Sequence, residues 1–192
     1  MYIVFEGIDG AGKSTQIQML KEWLEDNGFR VETFVEPTGS EIGTLLREVL
    51  KRPDAKTDEV QNIQALLFAA DRLSIMDKLE DESKIIISDR SFISSLAYQN
   101  DYDWIKVLNK HAKKPDLVLL LDLDVKKSVA RTSTGDTFED EEFLTGVRQK
   151  YLEIVENYEH QIIDANNGIN KVSSDIKKAV APYLGICPDC IM

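Results

Sequence analysis

The chain has 192 residues, 43% of them hydrophobic and 30% charged, enough apolar side chain for one domain with a sizeable core. Its 34 acidic against 23 basic residues leave a net charge of -11, which argues against nucleic acid as a partner, because such binding is led by cationic contacts to phosphate. No apolar run is long enough to span a bilayer and no basic segment precedes a hydrophobic one at the start, so a cytoplasmic protein with no membrane partner is expected.

The first element is a short apolar run, Tyr2 to Phe5, read as a strand. It leads into Gly7-Ile8-Asp9-Gly10-Ala11-Gly12-Lys13-Ser14, which fits the phosphate-loop pattern G-x-x-x-x-G-K-[ST] at every fixed position. Glycines let successive backbone N–H groups curl around phosphate oxygens, and the helix that follows points its positive end at them. The loop therefore reads as an ATP site over Gly7 to Thr15, with Lys13 reaching the β/γ-phosphates and the Ser14 hydroxyl holding Mg²⁺.

Ile17, Leu20 and Leu24 recur at helical spacing and Asn27-Gly28 supplies a stop, so Lys13 to Asp26 is expected as a helix. Arg30 to Val35 reads as a second strand, broken by Glu36-Pro37-Thr38-Gly39-Ser40. Ser40 offers an N-cap to a helix carrying Ile42, Leu45, Leu46, Val49 and Leu50. A longer helix, about Asp58 to Leu79, is expected to turn Val60, Ile63, Leu67 and Ala70 inward. Ile85 to Ile87 and Leu117 to Leu121 are continuous apolar runs that end in polar residues, as strands buried on both faces of a parallel sheet do. His160 to Ile163 makes a weaker fifth strand.

Helices are expected between these strands, over about Phe92 to Gln99, Tyr102 to His111, Val125 to Arg131, Glu139 to Tyr158 and Lys171 to Tyr183. The alternation predicts an α/β fold, a five-stranded parallel sheet with helices on both faces and ligands outside the carboxyl ends of the strands. Two further constellations fall at that edge. Asp89-Arg90 leaves the third strand directly, as a ligand-facing pair or as a mutual ion pair capping the strand. Phe68 and Arg72, four apart on one helix, share a face, where a ring and a guanidinium could stack a planar base; a core phenylalanine beside a solvated arginine is the alternative. The only cysteines, Cys187 and Cys190, can be read as free thiols, half of a shared zinc site or a disulfide.

FEGIDGAGKST, EPTGSEIG, LLFAADR, SDRSFISSLAYQ, KPDLVLLLDLD and VRQKYLEI, in this order, resemble the thymidylate kinase branch of the phosphate-loop nucleoside monophosphate kinases. The resemblance covers nearly the whole chain and implies a single kinase domain, a lid near residues 131–142, and a homodimer. It implies transfer of the γ-phosphoryl of ATP to dTMP, with Mg²⁺. It also implies that Asp9 contacts the acceptor sugar and orders the metal site, that Arg90 holds the acceptor phosphate and that Asp89 lies near the metal. Phe68 would stack on thymine, Arg72 would donate to its O4, Ser94, Ser95 and Gln99 would lie along the base, Tyr98 would press on the sugar's 2′ carbon, and Glu36 and Pro37 would wall the acceptor. Kinase action on another nucleoside monophosphate, or a binding module with weak transferase activity, are the alternatives.

The sequence departs from the family pattern in two places. Members usually supply an extra catalytic arginine from the loop or the lid, whereas here Ile8, Asp9, Gly10 and Ala11 fill the loop and the lid carries five carboxylates after Arg131. Arg131 is the expected substitute in catalysis, beside Lys13, Arg90 and Asp9, with Arg148 as second choice. Val35 stands where relatives often carry arginine or an aromatic, so either acceptor binding is weaker or Arg47 reaches in.

Overall fold

The computed structural model describes residues 1–132 and 141–186. Strand β1, Tyr2–Glu6, is buried along its whole length, with Ile3 and Phe5 packed into one apolar layer and Tyr2 and Val4 into another on the opposite face. That two-sided burial is the period-two geometry of a strand covered on both sides. Helix α1, Lys13–Asp26, follows the loop and lays Ile17, Leu20 and Leu24 into the first layer. Strand β2 is Val31–Val35, and Ser40 caps helix α2, Glu41–Leu50, by accepting from the Gly43 N–H. Helix α3, Asp58–Leu73, is followed by the separate short helix α4, Met76–Leu79.

Strand β3, Ile85–Asp89, leads to α5, Phe92–Tyr98, and α6, Tyr102–Leu108. Strand β4, Leu117–Asp122, leads to α7, Val125–Thr132; α8 is Glu141–Val155, β5 is His160–Asp164 and α9 is Ile169–Val180. The sheet order is β2-β3-β1-β4-β5, parallel throughout. Strand β1 is central, with β3 on one side and β4 on the other, so the ends of these three strands define the crevice where the connections diverge. The expected fold class is the one observed.

Three expectations need correction. The helix expected from Asp58 to Leu79 breaks after Leu73, where the Ser74 hydroxyl donates to the Asp71 carbonyl and competes with the helical ladder. On α3 the inward face is Val60, Gln64, Ala65, Ala69, Asp71 and Arg72, whereas Ile63 is exposed and Leu67 and Ala70 are half-buried. The last helix stops at Val180 and tightens into a 3₁₀ turn over Ala181–Leu184, because Pro182 has no N–H to continue the α ladder. No helix among the described residues is long and apolar enough to cross a membrane. Cys187 and Cys190 lie outside the described residues, as do residues 133–140 of the expected lid.

Candidate active site

Two adjoining cavities open at the carboxyl ends of β1 and β3. One, of about 360 Å³, is lined by Gly10, Gly12, Lys13, Ser14, Thr15, Val35 and Asp89, together with Asp9, Glu36 and Arg90. The other, of about 470 Å³, shares Asp9, Glu36 and Arg90 and adds an apolar wall that includes Pro37, Phe68, Tyr98 and Phe143. The expected donor and acceptor residues are thus brought to one crevice, with Asp9 at the join.

The loop is shaped by its glycines. Gly7 has φ 138°, and a Cβ there would stand 2.6 Å from the Leu121 carbonyl oxygen, so the chain can leave β1 against β4 only as glycine. Gly12, at φ 90°, turns the loop into α1. Ile8 and Ala11 are buried, so they would offer a ligand only backbone. Lys13 donates to the Gly7 and Ile8 carbonyls at 3.0 and 3.2 Å. Burial, and next the nearby Arg90 guanidinium, push its ammonium down to about 8. The Ser14 hydroxyl donates to Asp89 Oδ2 at 2.8 Å.

Asp89 and Arg90 do not pair with one another. Asp89 takes Ser14, while Arg90 Nη2 donates to Asp9 Oδ1, so the strand end reaches back to the loop twice. Arg90 has φ 74°, a left-handed conformation that costs a non-glycine residue about 1–2 kcal/mol. Strain of that kind persists where surroundings overdetermine it, and here the Arg90 N–H is held by the Phe5 carbonyl at 2.9 Å. Its guanidinium lies 5.1 Å from the centre of the Tyr98 ring. Burial works against its charge, but Tyr151, Tyr98, Asp9 and Glu6 around it outweigh burial and hold the group firmly protonated.

The acceptor-side residues fall into two sets. Phe68 and Gln99 line the cleft, and both polar atoms of the Gln99 amide are buried without a hydrogen-bond partner among the described residues. Ser94 and Ser95 line it too, with their hydroxyls engaged by Glu6 and Arg72, whereas Arg72 itself stands outside it. Arg72 is buried, with its Nε 2.8 Å from both Glu36 oxygens, Nη1 donating to Asn109 Oδ1 at 2.6 Å and Nη2 to Ser95 Oγ at 2.8 Å. It lies 5.6 Å from the Phe68 ring centre, behind the wall rather than in it. Ser94 donates to Glu6 and accepts from Arg90.

Sequence reading missed four supporting groups. Glu6, wholly buried at the end of β1, accepts from Ser91, Ser94 and Tyr151. Its signal was a carboxylate closing an apolar run just before the loop. Asp71 accepts from the Thr38 N–H at 2.6 Å, the Thr38 hydroxyl at 2.5 Å and the Ser40 hydroxyl at 2.6 Å, fixing the segment that carries Glu36. Asn109 and Tyr151 complete the arginine networks. Arg47, expected to reach the acceptor, instead donates to the Pro37 and Thr38 carbonyls, and Val35 is exposed. Arg148 is occupied by Asp122 through two nitrogens at 2.5 and 2.8 Å. Arg131 is exposed and donates to the Gly10 carbonyl at 2.9 Å.

A phosphate loop at the mouth of a parallel sheet, joined through a shared arginine to a second, partly apolar cleft, defines a phosphotransferase of the nucleoside monophosphate kinase type. A family model described as thymidylate kinase matches residues 5–176. The chain is 68% identical over 191 residues to a protein of Methanobrevibacter smithii, with all of both chains covered. It is 47% identical to one of Methanosphaera stadtmanae over 96% of this chain and 99% of that one, and 40% identical to one of Pyrococcus horikoshii over 91% and 93%. All three carry the name "Probable thymidylate kinase". The chain belongs to the thymidylate kinase family, and its reaction is the ATP-dependent phosphorylation of dTMP.

Proposed function

We propose that the loop-side cavity takes the phosphates of ATP and the apolar cleft takes dTMP, with Arg90 holding the acceptor phosphate between them. The observation that carries this division is the sharing of Asp9, Glu36 and Arg90 by the two cavities, which sets a donor and an acceptor phosphate side by side. The acceptor needs no strong base, since a phosphate monoester has a second pKa near 6 and its oxygen is already deprotonated at neutral pH. The barrier is repulsion between anions, so the work is positioning and neutralisation by Lys13 and Arg90. Asp9 orients Arg90 and lies on the sugar side.

Mg²⁺ is the proposed metal. A hydroxyl and a carboxylate, Ser14 and Asp89, are the hard oxygen donors such an ion takes. Among the described residues no cluster of three or more His, Cys, Asp or Glu gathers into a closed metal site, which suits an ion that completes its shell with substrate phosphates and water. When bound, it would neutralise charge on the phosphoryl oxygens.

Base recognition falls to Phe68 for stacking and Gln99 for the edge. A thymine edge offers one N–H between two carbonyls, and a primary amide offers the complementary acceptor and donor. Tyr98 closes the sugar side, with Ser94 and Ser95 below. Arg72 supports the wall by holding Glu36, and would meet the base only on releasing one of its present partners. Arg131 is the candidate for the missing arginine, because Arg148 is engaged and Arg131 stands exposed over the loop.

We further propose a homodimer through one side of α2 and α3, where Leu45, Ile63, Leu66 and Leu73 are exposed. The test of the reaction is a coupled assay of ADP release over a panel of nucleoside monophosphates. Turnover fastest with dTMP is expected. Faster turnover with another acceptor would reassign the substrate, and no acceptor-dependent turnover would leave a nucleotide-binding module.

A further inference from the structure

Against Arg90, and reaching the acceptor cleft only through Ser94, lies a buried polar cluster in an otherwise apolar layer. Glu6 ends β1 with no exposed surface, and Tyr151, on the inner side of α8, is 1% exposed. Ser91 Oγ donates to Glu6 Oε1 at 2.7 Å; Ser94 Oγ and Tyr151 Oη donate to Oε2 at 2.6 and 3.0 Å. The same two hydroxyl oxygens then accept from Arg90 Nη1, at 3.1 and 3.2 Å. The two hydroxyls also lie 2.7 Å apart, so one can hand its proton to the other; either way the protons run toward Glu6, and lone pairs face the guanidinium, which only donates. The arrangement is an ion pair relayed through two hydroxyls.

We infer that Glu6 and Tyr151 are positioning residues for the acceptor-phosphate arginine, the carboxylate setting the direction of two hydroxyls that hold Nη1 of Arg90 while Asp9 holds Nη2. This rests on the reading of Arg90 as the acceptor-phosphate ligand. Two features favour a positioning role over plain core packing. A buried carboxylate is costly, and a leucine or methionine would fill the same volume without that cost. And Arg90 already has Asp9 as a counter-ion on its other edge, so Glu6 is not needed to neutralise it. What Glu6 adds is orientation, in a backbone conformation that is itself strained.

Tyr151 gives the cluster a second consequence. It is the hydroxyl that α8 contributes, so the helix that begins at Glu141, at the end of the expected lid, touches the acceptor arginine directly. A shift of α8 would change the hold on Arg90 without touching the phosphate loop.

The experiment uses dTMP binding by calorimetry and steady-state kinetics on the full chain. In Glu6→Gln the amide nitrogen becomes a donor and turns hydroxyl protons toward Arg90. dTMP binding should weaken about tenfold, kcat should fall about 10- to 100-fold, and KM for ATP should stay within about twofold. Tyr151→Phe, which keeps the ring, should weaken dTMP binding about threefold to fivefold. In an Arg90→Ala background, where the group they position is gone, either change should alter dTMP affinity less than about twofold. Rising KM for ATP in step with that for dTMP, or a full effect surviving in that background, overturns the inference, as does unchanged dTMP binding in both single variants. Should Glu6→Gln fail to fold, the Tyr151→Phe pair decides alone. If wild-type protein does not bind dTMP, or Arg90→Ala binds it equally well, the failure lies in the reading of the site rather than in Glu6 and Tyr151.

Discussion

A primary amide buried with neither atom paired costs about 1–3 kcal/mol for each unmatched group, and Gln99 leaves both atoms in that state on the wall of the acceptor cleft. A cost carried by the empty protein and relieved by a ligand is what a recognition residue requires. Gln99→Leu, close in volume, should therefore raise KM for dTMP about tenfold, leave KM for ATP alone and raise the thermal midpoint. Kinetics and a melting curve on one preparation read all three; a KM for dTMP that does not move would place the base contact elsewhere. Spacing alone put Phe68 and Arg72 on one face, and that much is observed. It could not show that Glu36, far off in sequence, meets Arg72 in the interior and occupies its Nε. Pairings through space leave no periodic trace, which is also why Glu6, Asp71 and Tyr151 were passed over.

At the scale of elements, α7 is tied to the loop by two hydrogen bonds one turn apart. Ser128 Oγ donates to the Asp9 carbonyl at 2.6 Å and Arg131 Nη1 to the Gly10 carbonyl at 2.9 Å. The first comes from a buried serine and fixes the helix; the second is exposed and open to exchange for a phosphate oxygen. Arg131→Ala should therefore lower kcat by about 10²-fold or more while KM for dTMP changes little, given that arginines supplied to phosphoryl transfer contribute about 10³ to 10⁵ in rate. An unchanged kcat in steady-state assays would remove Arg131 from the mechanism. The strands were legible because burial on both faces writes a continuous apolar run, as in β3 and β4. The break between α3 and α4 was not, because no glycine or proline marks it and a serine hydroxyl makes it by local competition.

Over the whole molecule, a protein of net charge -11 gathers Lys13, Arg90 and Arg131 around one crevice, so its attraction for phosphates is local. The misread face of α3 bears on assembly. Ile63 was expected inside, yet it stands 37% exposed in a stripe with Leu66 at 51% and Leu73 at 46%, spaced to share one side of the helix. Burying such a stripe against its copy is the plain use for it. Light scattering should give twice the chain mass, and Leu66→Glu should give a single chain mass with the fold intact by circular dichroism. A wild-type monomer would dismiss the dimer.

The ladder between β1 and β3 pairs Phe5 with Asp89, and the next residue, Arg90, is still held by Phe5. That register makes chain length, as distinct from side-chain chemistry, a conserved quantity for this enzyme's function. Substitutions at Ile85, Ile86 and Ile87 that stay apolar alter packing and little else. A single residue inserted or deleted there would displace Arg90 by about 3.3 Å and turn it to the opposite face of the sheet. Tolerance to variation in Ile85 to Ile87 should thus be wide in spelling and nil in counting.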